Sequence, residues 1–108
     1  MQFKLIMVFA GEDKTDKVLT ASREAGATGA TIITNARGQG LKKSIGIFGL
    51  EILNYQDVIL ILAENRRAND ILEAVSKAGN PDGAHGSGIA LQIDVDEALG
   101  LAEHIKTL

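Results

Sequence analysis

The sequence predicts an α+β domain in which two βαβ halves share one antiparallel sheet, and three observations point to it. Leu5–Ala10 and Val58–Ala63 are continuously apolar, the pattern of strands with both faces buried. Each run is followed by a stretch of helical periodicity that ends in glycine. Those two stretches also echo each other. Val18-Leu19-Thr20-Ala21, ending Ala25-Gly26, recurs 53 residues later as Ile71-Leu72-Glu73-Ala74, ending Ala78-Gly79. Each copy lies between two strand patterns, which is the order of the split βαβ, or ferredoxin-like, arrangement. A short C-terminal helix completes the expected fold.

In chain order, Gly11-Glu12-Asp13-Lys14 breaks the first strand, and Asp13 or Thr15 is expected to cap a helix. From Thr15 to Ala25, Val18, Leu19, Ser22 and Ala25 share one helical face while Asp16, Lys17 and Glu24 face away. Gly26 is a suitable helix terminator. Thr31-Ile32-Ile33-Thr34 is β-branched throughout and predicts a second strand. Four glycines and Lys42-Lys43 between Gly38 and Gly49 predict a flexible loop over about 38–55, with Ile45–Phe48 as one arm of a short hairpin. After Val58–Ala63, a turn over Glu64–Asn69 is expected, with Asn69 or Asp70 opening a second helix. Ile71, Leu72, Val75 and Ala78 supply its inner stripe, and Gly79-Asn80-Pro81 stops it. A Gly-rich segment comes next. Ile89, Leu91, Ile93 and Val95 then alternate with Ala90, Gln92 and Asp94, the cleanest strand pattern in the chain. Ala98, Leu101, Ala102 and Ile105 predict the last helix over Asp96–Lys106.

A length of 108 residues suits one domain, 1–108, with a single core. The net charge of −3 argues against binding nucleic acid, which needs a clustered basic face. Three Phe and one Tyr are too few for a base-stacking platform. The absence of cysteine excludes disulfides, thiolate metal sites and cysteine nucleophiles. The first apolar run spans six residues, Leu5 to Ala10, too short for a signal-peptide core or a membrane span. A cytoplasmic protein with no direct membrane insertion is expected.

In the double βαβ arrangement both helices lie on one side of the sheet. The other side would be bare, yet the two strongest strands are apolar on both sides. An exposed apolar face of that size is more than a monomer normally carries. An oligomer that buries it is therefore expected.

Chemistry has few places to sit. Ser44 or Ser87 with His85 as base has no strand–turn–helix elbow around it, so catalysis is not expected. His85 and Asp82 are two ligands in a loop, which make no metal site without further partners. Binding is better served. Arg37-Gly38-Gln39-Gly40 joins a planar guanidinium to bare backbone N–H groups, a combination suited to phosphate or carboxylate, with Lys42 close behind. Gly86-Ser87-Gly88 opens the last core strand as a second candidate anion turn. In an oligomer the two turns could face each other across a shared cleft.

These residues resemble the PII family of signalling proteins. The resemblance rests on Gly29-Ala30-Thr31 leading into Arg37-Gly38-Gln39-Gly40, a long loop, an Ile/Leu-rich strand, and Gly86-Ser87-Gly88 before strand and Val95-Asp96-Glu97-Ala98. It implies a non-catalytic homotrimer with its sheets turned inward and nucleotide clefts between subunits. The loop would then report ligand state to a partner transporter or enzyme. Thr31 matches the family threonine near the adenine, and Gly38 and Gly40 match the glycines at the loop base. Gly86, Ser87 and Gly88 match the turn that wraps the phosphates. Leu41, Gln56 and Ile89 stand at or beside positions where the family carries basic residues. The implied ligand is a small anion, with an adenine nucleotide (ATP, ADP or AMP) leading and a carboxylate or bicarbonate as alternatives. A metal-binding trimer of the same general fold, similar to copper-tolerance proteins with His85 as a ligand, is the alternative of another class.

Overall fold

The computed structural model describes residues 2–38, 44–45, 51–52, 54–79 and 88–100. Four strands, β1 (Phe3–Gly11), β2 (Thr31–Gly38), β5 (Asn54–Glu64) and β6 (Gly88–Asp94), form one sheet in the order β2-β5-β1-β6. Every neighbouring pair is antiparallel. Two helices, α1 (Thr15–Glu24) and α2 (Asn65–Gly79), complete the expected ferredoxin-like α+β architecture. The two long apolar runs are the two central strands, which explains why neither carries a polar side chain on alternate positions.

The register separates the faces. Ile6, Val8 and Ala10 of β1 stand opposite Ile61, Ile59 and Asp57 of β5. Ile6, Val8, Ala10, Ile59, Ile61 and Ala63 are buried with Val18 of α1 and Ala68, Ile71 and Val75 of α2. This is the core, and it lies wholly between the helices and one sheet face. The opposite face carries Leu5, Met7 and Phe9 across from Leu62, Leu60 and Val58 on one side and Ile93, Leu91 and Ile89 on the other. No helix among the described residues covers it. Ile89 is 60% exposed, Ile33 49% and Ile93 46%.

Gly26 ends α1 as expected, with φ +111°. Its N–H donates to the Arg23 carbonyl at 3.0 Å and the Ala27 N–H donates to that of Ser22 at 2.9 Å. This pair satisfies two of the helix's last carbonyls in a Schellman motif. The start of α1 departs from expectation. A 3₁₀ turn, Glu12–Lys14, leads into it, and no side chain caps it. Thr15 instead donates its hydroxyl to Asp57 Oδ2 at 2.6 Å, and both residues are buried. A long-range charge-assisted bond thus replaces the local cap and ties α1 to the head of β5. Thr15→Val is expected to cost about 1.5–3 kcal/mol, since it strips a buried carboxylate of a hydrogen bond. Urea unfolding measures it, with Thr15→Ser close to the unmodified chain.

Helix α2 begins at Asn65, not at Asn69 or Asp70, so the expected turn over Glu64–Asn69 does not form. Strand passes directly into helix because the Asn65 N–H donates to the Gln2 carbonyl at 2.9 Å and Ala68 extends the buried stripe one turn earlier. Strand β2 runs to Gly38, beyond the expected Thr34. Within the loop expected over 38–55, β3 (Ser44–Ile45) pairs antiparallel with β4 (Glu51–Ile52), so Ile45 does belong to a hairpin arm. Residues 39–43, 46–50 and 53 of that loop lie outside the described residues. Of the expected last helix, residues 96–100 are not helical, and the remainder lies outside the described residues.

Candidate functional site

Strand directions determine which candidate residues meet. Strand β1 runs toward Gly11, β5 runs against it, and β2 runs against β5. The C-terminal end of β2 therefore lies at the same end of the sheet as the C-terminal end of β1. Strand β6 is antiparallel to β1 and begins with Gly88 opposite Ala10. Arg37 and Gly38, which end β2, and Gly88, which opens β6, thus share one end of the sheet. They occupy opposite edges, because β2 and β6 are the outer strands. Three strand spacings separate them, roughly 14 Å. Of the two glycine turns, the described residues Gly38 and Gly88 do not meet within one chain.

Arg37 pairs with Tyr55 and Gly38 with Asn54, so the arginine and the first loop glycine are fixed by the ladder to the returning strand. Thr31 is exposed and stands opposite Leu60, which is itself opposite Met7 in mid-sheet. It lies along the same edge as Arg37, on the order of 20 Å down the strand. Gln39, Gly40, Lys42, Gly86 and Ser87 lie outside the described residues, as does His85. Among the described residues, no group of three or more His, Asp or Glu side chains gathers in a way that could hold a metal.

Two residues that shape this end of the sheet belong to no sequence motif. Asp57 heads the apolar run of β5 and is buried on the helix side, held by Thr15. Asn35, two residues before Arg37, has φ 61°, the one positive value among the described non-glycine residues. It coincides with a register irregularity between Ile33 and Ala36. Only Asn35 left a signal: asparagine is one of the few side chains that enter the left-handed region readily.

No helix among the described residues is long and apolar enough to cross a membrane. A family model described as nitrogen regulatory protein P-II matches residues 3–103. No curated protein matches the chain.

Proposed function

The chain belongs to the nitrogen regulatory protein P-II family, and from that membership we propose that it is a homotrimeric sensor of a small anionic ligand. Its role is that of a signalling protein, not of an enzyme. The ligand is an adenine nucleotide bound between subunits. The loop beyond Gly38 passes the ligand state to a partner transporter or enzyme.

One observation carries this reading. The sheet has an apolar face that no helix among the described residues covers, with Arg37–Gly38 and Gly88 at one end of the sheet on opposite edges. Covering that face with copies of the same chain buries Ile33, Ile89 and Ile93, and brings the β2 edge of one copy toward the β6 edge of another. The resulting cleft combines the Arg37 guanidinium and the bare backbone at Gly38 and Gly40 with the Gly86-Ser87-Gly88 turn. Lys42 adds charge from the loop, Gln39 adds a hydrogen-bonding side chain, and Thr31 lines the cleft farther along β2. Such a site holds phosphate through charge-assisted and backbone hydrogen bonds. Lacking basic residues at Leu41, Gln56 and Ile89, it favours fewer phosphates, so ADP and AMP suit it better than ATP.

Calorimetric titration of ATP, ADP and AMP tests the proposal. ADP or AMP is expected to bind at least as tightly as ATP. Arg37→Ala should weaken binding about tenfold or more, the equivalent of losing roughly 1.5–3 kcal/mol of charge-assisted contact, with the unfolding midpoint little changed. No heat with any of the three at millimolar concentration would remove the nucleotide. Unchanged affinity in Arg37→Ala would remove Arg37 from the site.

A further inference from the structure

The alternation along β2 breaks at a single place. Thr31 and Ile33 stand opposite Leu60 and Val58, on the uncovered apolar face. If pairing continued in step, Asn35 would stand opposite Gln56 and Arg37 opposite Asn54, both still on that face. The ladder instead resumes with Ala36 opposite Gln56, Arg37 opposite Tyr55 and Gly38 opposite Asn54. Thr34 and Asn35 together oppose the single residue Asp57. Two residues against one, with the second in the left-handed region at φ 61°, make a β-bulge, which bends the strand and re-aims the residues beyond it.

The shift matters because of what Arg37 is. In step, its position falls in line with Thr31 and Ile33, within the face that the proposed trimer buries. A guanidinium there would be desolvated without a partner, a costly arrangement. One residue out of step, position 37 takes the register of Tyr55, Asp57 and Ile59, on the other side of the sheet. Ala36 and Gly38, which carry no charge, take the positions on the apolar face. The bulge therefore lets one edge strand serve an apolar interface with its first half and a cationic site with its second.

We propose that Asn35 is the positioning residue of the anion site. By holding the left-handed bulge it keeps Arg37 out of the apolar face and sets the phase in which Arg37 and Gly38 meet the ligand. The inference rests on the reading that the end of β2 binds an anion. Glycine accepts the same backbone conformation without strain, whereas a β-branched residue resists it. Valine at this position drives the ladder toward in-step pairing. A chain that lacks residue 35 has no extra residue to accommodate, so it keeps Arg37 opposite Tyr55 with no bulge at all.

The test is ADP titration into the unmodified chain, Asn35→Gly, Asn35→Val and the chain lacking Asn35. Cross-strand amide NOEs read the register and thermal melts read the fold. Asn35→Gly and the deletion are expected to bind ADP within about threefold of the unmodified chain. Asn35→Val is expected to lose at least tenfold, with the Arg37–Tyr55 pairing replaced by Arg37–Asn54. If Asn35→Val does not fold, the milder Asn35→Ala takes its place, with the same direction expected. ADP affinity in the valine or alanine variant equal to that of the unmodified chain would overturn the role of Asn35. So would a loss in Asn35→Gly or the deletion as large as that in Asn35→Val. Failure of the unmodified chain to bind ADP is a different result, which removes the site itself and the role of Asn35 with it.

Discussion

If the proposed trimer closes over this face, Leu60→Glu is expected to separate its chains, with the helices and sheet of each intact. Leu60 sits at the middle of the uncovered face, opposite Met7 on one neighbouring strand and Thr31 on the other. In a single chain it is half-buried. A glutamate there keeps access to water, so the isolated fold loses on the order of 1 kcal/mol, as substitutions outside a closed core do. In an assembly that covers this face, the same carboxylate is buried among Leu62, Met7, Phe9 and Leu91 of its own chain, none of which can pair with it. An unpaired buried charge costs several kcal/mol, and every interface of a symmetric trimer would carry it. Light scattering after size exclusion reads the mass, and circular dichroism reads the fold. An unchanged mass would show that this face does not hold the chains together.

Its sequence neighbour behaves differently. Ile59→Ala is expected to cost about 2–5 kcal/mol of folding stability, the range for removing a large buried side chain and leaving part of the space empty. Ile59 is fully buried and belongs to the cluster formed with Val8, Ile61, Val18 and Ile71. Such a loss is a large share of the roughly 5–15 kcal/mol that keeps a domain folded. Chemical denaturation measures it. Adjacent residues of one apolar run should therefore fail in different assays: Ile59→Ala in stability at any concentration, Leu60→Glu in association. A small effect of Ile59→Ala would contradict its place between sheet and helices.

How much of the candidate site is legible from sequence depends on the residue. Arg37 and Gly38 stand out because a guanidinium beside bare backbone is rare in this chain, and the ladder does hold both at the end of β2. Gly88 stands out as the hinge into a clean strand, and it is the first residue of β6. That these positions share one end of the sheet follows from antiparallel pairing. That they lie on opposite edges follows only from the strand order, which sequence proximity does not encode. Asn35 and Asp57 escape notice for a related reason. A bulge exists only relative to the residue count on the partner strand, and the Thr15–Asp57 bond joins positions 42 residues apart.

By itself the sequence determined the two βαβ halves, the stop at Gly26, and the doubly apolar central strands. These rest on local periodicity and backbone preference, which need no knowledge of the rest of the chain. It also showed two faces on the last strand, Ile89-Leu91-Ile93 and Ala90-Gln92-Asp94. Only the tertiary structure decided which of them the helices cover. They cover the weaker one: Ala90 packs on the core, and Gln92 reaches Asn69 of α2 at 2.9 Å, while Ile89 and Ile93 point away. Alternation reads the same with its faces exchanged. The choice between them is made by pairing with β1, where Ile6 and Val8 already lie beneath the helices and carry Gln92 and Ala90 with them.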